Sequence, residues 1–250
     1  MGHPELRRFP DAAALAAAVA DDWIALASAA PADRPQLFAV SGGRIAGDLF
    51  AAVAARGQGG VPGFTSAHWF WADERCVPPD KSDSNYLLAR TRLFAPLGLS
   101  GDRIHRIRGE LDPATAAAEA GADLRRLAPS DALGRPVLDL VLLGMGEDGH
   151  VASIFPEEPV EVTASPEIYR AVVATKPPPR RVTIGHGVLC AARQVWVLVS
   201  GAGKEAALRE SLAPDGATPL ARLLRDRPAT WVCVVAAILP PAPASPPTPG

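Results

Sequence analysis

The sequence predicts an α/β chain with a Rossmann-like, mainly parallel sheet and helices on both faces. Three observations carry that prediction. Short apolar runs at Leu37 to Val40, Leu138 to Leu143 and Val195 to Val199 read as strands buried on both faces. Each run is followed by a glycine-bearing turn: Ser41, Gly42, Gly43; then Gly144 to Gly149; then Ser200 to Gly203. Alanine-rich segments of helical period stand between the runs, and that alternation is the pattern of parallel β–α–β units.

The bounds on the chain follow from its composition. With 250 residues, 48% of them hydrophobic, it can bury a sizeable core, and one domain over residues 1–239 is expected. Residues 240–250, PPAPASPPTPG, can join neither a helix nor a central strand and are expected to form an extended tail. A formal charge of −2 gives no basic excess for nucleic acid or an anionic membrane surface, so any handling of phosphate must be local. Cys76, Cys190 and Cys233 are odd in number and lack metal-ligand spacing. That usage argues against a disulfide framework or a structural zinc site and fits a reducing cytoplasm. The N-terminus lacks the continuous apolar core of a signal peptide, and no run reaches transmembrane length. A monomer is expected.

Element by element, Asp11 caps an alanine-rich helix to Ala30 whose Leu15, Val19, Trp23 and Leu26 share one face. Leu37 to Val40, the turn, and the helical Arg44 to Ala54 form a strand, turn and helix. Free N–H groups at such a helix start favour an anion, to which Ser41 and Arg44 add a hydroxyl and a cation. The plain alternative is a turn that needs glycine for packing alone. His68 to Asp73 reads as an aromatic strand leading into Asp73, Glu74 and Arg75. Asp83 or Ser84 then caps a helix that runs to about Leu97. Arg103 to Arg108 reads as an exposed or edge strand and Pro113 to Leu127 as a helix. Tyr169 to Thr175 is another strand, after which a stiff proline turn presents Arg180 and Arg181. His186 and Cys190 lie four apart in a helical stretch, but two residues do not make a metal site and they read as structural. Val195 to Val199 repeats the strand, glycine turn, helix pattern with Lys204 at the helix start, but it is no Walker loop. Leu220 to Leu224 is helical and Thr230 to Ala236 forms the last strand.

Gly144, Gly146 and Gly149 match the spacing of a dinucleotide fingerprint. Several strands precede them, no acid ends the next strand, and Glu147 and Asp148 would repel a pyrophosphate. A lone His150 could be merely packed, but the neighbouring Asp148 makes a pair suited to general base chemistry, read here as lying beside a helix N-terminus. No GxSxG elbow supports serine-hydrolase chemistry.

Taken together, Ser41–Gly42–Gly43, Asp73–Glu74–Arg75 with Val77–Pro78 and Ser84–Asn85, Leu143 to His150 with Ala152 to Pro156, and Arg181–Val182–Thr183 resemble the 6-phosphogluconolactonase family. That family lies within the superfamily that includes the glucosamine-6-phosphate deaminases. The deaminases resemble one another in an Asn–Glu–Pro ending after the histidine. This chain has Ala–Ser–Ile–Phe–Pro there, closer to the lactonases, with the deaminase as the runner-up. It departs from the family pattern at Arg44, where Ser or Thr is usual. The resemblance implies hydrolysis of 6-phospho-D-glucono-1,5-lactone without metal or organic cofactor. It assigns catalysis to His150 and Asp148, and substrate binding to Ser41, Gly42, Gly43, Arg44, Asp73, Arg75, Gly146, Arg181 and Lys204. A phosphosugar-binding regulator without catalysis is the alternative from another class, and such a protein would have no need of an Asp–His pair.

Overall fold

A computed structural model describes residues 4–31, 34–99, 101–227 and 229–239. In chain order its strands are β1 (Glu5–Phe9), β2 (Leu37–Val40), β3 (His68–Trp71), β4 (Asp73–Arg75), β5 (Leu140–Gly144), β6 (Tyr169–Val173), β7 (Arg180–Ile184), β8 (Gln194–Val199) and β9 (Trp231–Val235). The α-helices are α1 (Ala12–Ser28), α2 (Arg44–Arg56), α3 (Pro62–Ser66), α4 (Asn85–Ala89), α5 (Pro113–Leu127), α6 (Val160–Thr163), α7 (His186–Ala191), α8 (Glu205–Leu212) and α9 (Pro219–Asp226). The proline-rich stretch 240–250 lies outside the described residues.

Six strands pair in parallel in the order β1, β9, β8, β5, β2, β3, with helices around the sheet. The three central strands, β8, β5 and β2, are the apolar runs of the sequence, buried along nearly their whole length. Asp139 breaks the middle run. Its buried carboxylate accepts the Leu37 N–H at 2.9 Å and a two-pronged contact from Arg34, and Arg193 lies 3.2 Å away. It therefore ties together the amino ends of all three strands. The Asp11 side chain caps α1 through the Ala14 N–H, and Leu15, Val19 and Trp23 are buried. Trp23 packs edge-on against Phe38, Phe64 and Trp69, a geometry that adds to the burial of the rings.

Several elements differ from the sequence reading. Glu5–Phe9 forms an edge strand that its charges concealed; among the described residues it pairs on one side, with β9. The aromatic strand divides at Ala72: its N–H continues the large sheet by bonding Val40, while its carbonyl accepts from Ile184. The chain then passes into a small antiparallel sheet of order β4, β7, β6. The helix expected from Asn85 to Leu97 is present as α4 followed by a π-helical turn, Arg90–Phe94. Arg103 to Arg108 makes one parallel bridge, from Ile104 to Trp69, and no strand. Among the described residues no helix is long and apolar enough to cross a membrane.

Candidate active site

Because β8, β5 and β2 are parallel neighbours, their carboxyl ends reach the same edge, where open α/β sheets bind ligands. The glycine turns that follow the three strands enclose a cleft of about 180 Å³. Ser41, Gly42, Gly43, Arg44, Asp73, Arg75, Gly146, His150, Arg181 and Lys204 all line it. Asp148 stands behind His150.

After β2, Gly43 adopts φ +97° as the residue before α2, a backbone conformation that L side chains rarely adopt. No side chain caps α2, so its first N–H groups remain available to a ligand. The Ser41 hydroxyl is buried and has no hydrogen-bond partner among the described residues. Gly42 has no Cβ to strike the Asn85 side chain, which packs against it and donates to the Asp73 carbonyl at 2.9 Å.

After β5 the chain folds back on itself. Gly146 donates its N–H to the His150 carbonyl, Gly149 donates to Gly146, and Met145 bridges Val151. No helix follows, so the expected helix N-terminus beside the Asp–His pair is absent: Ala152 takes φ +50° and Pro156 comes soon after. A side chain at Gly146 would collide with the His150 ring and the Asp148 carboxylate. Asp148 Oδ1 lies 2.5 Å from His150 Nδ1 and also accepts the His150 N–H. The hydrogen bond from His150 holds the Asp148 carboxyl well below its usual range, against the opposing effect of burial. With Nδ1 committed to Asp148, Nε2 is the ring nitrogen left to act on a ligand.

The small sheet supplies the far wall. Asp73, 5% exposed, accepts the Ser153 hydroxyl at 2.7 Å, so that serine is buried and engaged rather than poised as a nucleophile. The Glu74 carboxylate accepts the N–H groups of Arg75, Asn85 and Tyr86 and the Ser84 hydroxyl, tying β4 to the start of α4. Burial pushes its carboxyl up to about 7, although the N–H donors favour the ionised form. Arg75 is fixed by donation to the Asp83 carbonyl at 2.7 Å, and Arg181 by the Pro178 and Lys176 carbonyls. Burial, then the nearby Arg75, lowers the Arg181 guanidinium; burial, then Arg44, lowers the Lys204 ammonium. Among the described residues Arg44, Arg75, Arg181 and Lys204 form no ion pair. Four cations without carboxylate partners thus share one cleft, which is an electrostatic setting for an anion.

The sequence reading did not place Asn85 or Ser200 in the site, yet both line the cleft. Ser200 ends β8 as Ser41 ends β2, so the repeated pattern held its signal. Asn85 appeared only within the Ser84–Asn85 motif, which did not place it in the cleft, because its position depends on the contact between α4 and the turn after β2.

Residues 10–233 match the family model described as glucosamine-6-phosphate isomerases/6-phosphogluconolactonase. The 6-phosphogluconolactonase of Mycobacterium bovis is 34% identical over 218 residues, which cover 75% of this chain and 85% of the relative. That of Treponema pallidum is 35% identical over 176 residues, 69% of this chain and 71% of the relative. The solved structure of the 6-phosphogluconolactonase from Trypanosoma brucei superposes with a TM-score of 0.84 at 28% identity, covering 95% of this chain and 98% of that one. The fold, the cleft and these likenesses agree: the chain belongs to the glucosamine-6-phosphate isomerase/6-phosphogluconolactonase family.

Proposed function

We propose that this chain hydrolyses 6-phospho-D-glucono-1,5-lactone to 6-phospho-D-gluconate, the second step of the oxidative pentose phosphate pathway, by general-base activation of water. The observation that carries the reading is the imidazole of His150, fixed by Asp148 at 2.5 Å in a cleft that also holds four cations without carboxylate partners. The phosphate lies on the Ser41 to Gly43 turn and the start of α2, with Arg181 and Lys204 as its cationic partners and Arg44 at its edge. Arg75 and Asp73 face the sugar, and Gly146 leaves room for the reacting end beside His150. Anchoring the phosphate far from the reacting carbon orients the ring.

In the reaction, His150 Nε2 takes a proton from water as the water oxygen attacks the lactone carbonyl. Asp148 holds the ring and supports the imidazolium. N–H groups of the surrounding turns steady the tetrahedral oxyanion. Collapse of that intermediate breaks the bond to the ring oxygen, which recovers the proton from the imidazolium. In this reading the protein works as a monomer built on one domain. It works in a reducing cytoplasm, where its three free thiols persist.

The test is hydrolysis of the lactone, generated in place and followed against its spontaneous background, by the parent and His150→Asn side by side. A loss of about 10²–10⁴-fold in kcat is expected for the variant. A variant as fast as the parent removes His150 from the mechanism. If the parent itself does not accelerate the lactone, the reading fails, and ammonia release from glucosamine 6-phosphate becomes the next assay.

A further inference from the structure

Away from the cleft, three chemically distinct side chains converge where α7 meets the end of α9. His186 and Cys190 are one helical turn apart on α7 and so share a face. Asp226, the last residue of α9, closes the group. His186 Nε2 lies 2.7 Å from Asp226 Oδ2 and 3.4 Å from Cys190 Sγ, and the three donor atoms all fall within 4.8 Å of one another. The sequence spacing offered only two of these ligands; the third comes from forty residues further along the chain.

We propose that His186, Cys190 and Asp226 form a binding site for a single divalent cation of the zinc class. An imidazole, a thiolate and a carboxylate are the donor set that a borderline-soft ion takes, and three protein ligands leave a fourth position for water. Tetrahedral zinc with its usual bond lengths needs nitrogen and sulfur about 3.5 Å apart, close to the 3.4 Å seen here. The carboxylate oxygen must withdraw by about 0.7 Å from its 2.7 Å contact to stand clear of the nitrogen. Asp226, whose side chain is 50% exposed, is free to do so and leaves the site open to solvent.

Binding would displace the thiol proton to solvent, and the resulting thiolate and the carboxylate together balance the ion's two charges. The neighbouring cations are already occupied. Arg135 is paired with Asp131 at 2.8 Å, and Arg227 donates to the carbonyls of Ala192, Arg193 and Ala229. The ion would brace α9 at its far end. The near end of the same helix receives the catalytic turn, since Leu220 donates its N–H to the Gly149 carbonyl and Thr218 fills the space beside Gly149.

The experiment is titration of the full chain, first stripped with a chelator, with Co²⁺ as a spectroscopic stand-in and with Zn²⁺ in competition. The parent is expected to take one equivalent of Co²⁺, to show a sulfur-to-cobalt charge-transfer band, and to lose that band to Zn²⁺. Zn²⁺ is also expected to raise its melting midpoint by a few degrees. Cys190→Ser should abolish the band, and Asp226→Asn should weaken binding by about tenfold or more. Both swaps preserve side-chain shape, and both variants should retain lactone hydrolysis because neither residue touches the cleft. Absence of the band in the parent overturns the proposal and leaves the cluster as a hydrogen-bonded contact between two helices. Its persistence in Cys190→Ser overturns the proposal as well, by assigning the sulfur to Cys76 or Cys233.

Discussion

The turns after β2 and β8 and the turn after β5 are built alike and do different work. Each follows a buried strand and each relies on glycine, with Gly43, Gly149, Gly201 and Gly203 at positive φ. The outer two, Ser41 to Arg44 and Ser200 to Lys204, lead directly into helices α2 and α8, which lack side-chain caps, and each carries a cation. The middle one leads into no helix and carries a carboxylate against an imidazole. Glycine spacing alone therefore says only that the backbone bends sharply or comes close to something. The side chains and the element that follows decide whether a turn holds an anion or moves a proton.

The largest test of that division is Asp148→Asn. The amide can keep the contact with Nδ1 but cannot support a positive imidazolium, so kcat should fall by about 10²–10⁴-fold with KM little changed. Lys204→Met in an outer turn should do the reverse, raising KM by about 10–100-fold, the cost of one charge-assisted hydrogen bond, and sparing kcat. A fall in kcat alone for Lys204→Met would break the comparison. Gly43→Ala should cost about 1–3 kcal/mol of stability in denaturant unfolding, since the added methyl group meets open space and only the backbone, at φ +97° and ψ 172°, is strained. The smallest effect is in pH dependence. The Asp148 carboxyl is held below its ordinary value, so the stability it contributes is complete above about pH 4 and is lost as the pH falls further. The unfolding free energies of the parent and Asp148→Asn should therefore converge below about pH 4. A gap that widens there would reverse the sign assigned to the contact.

Much of this was legible in the residues, for reasons that differ by region. The central strands could be read because burial on both faces leaves unbroken apolar runs, and the turns because glycine has few substitutes at positive φ. Asp148 and His150 could be paired because a single residue, Gly149, lies between them and keeps their side chains within reach of each other. What was not legible rests on contacts between segments far apart in sequence. Glu5–Phe9 shows only mixed charge and no strand pattern until β9 pairs with it. The break at Ala72 is decided by Val40 on one side and Ile184 on the other. Asn85 enters the cleft only because Glu74 gathers the N–H groups at the start of α4. The helix expected at His150 is absent because the chain bends at Ala152, whose positive φ no local sequence pattern announces.

Asp139 gives the site a second point of vulnerability. It pins the amino ends of the three strands whose carboxyl ends carry the turns, and β5 places it about 15 Å from them. The relative height of the three turns is inherited from that pin, because strands of fixed length carry any shift at one end to the other. Apolar replacement of Asp139 would leave Arg34, Arg193 and the Leu37 N–H without their shared acceptor and loosen the alignment of all three turns together. In a mutational survey ranked by distance from His150, this residue would count as remote and still behave as part of the catalytic machinery.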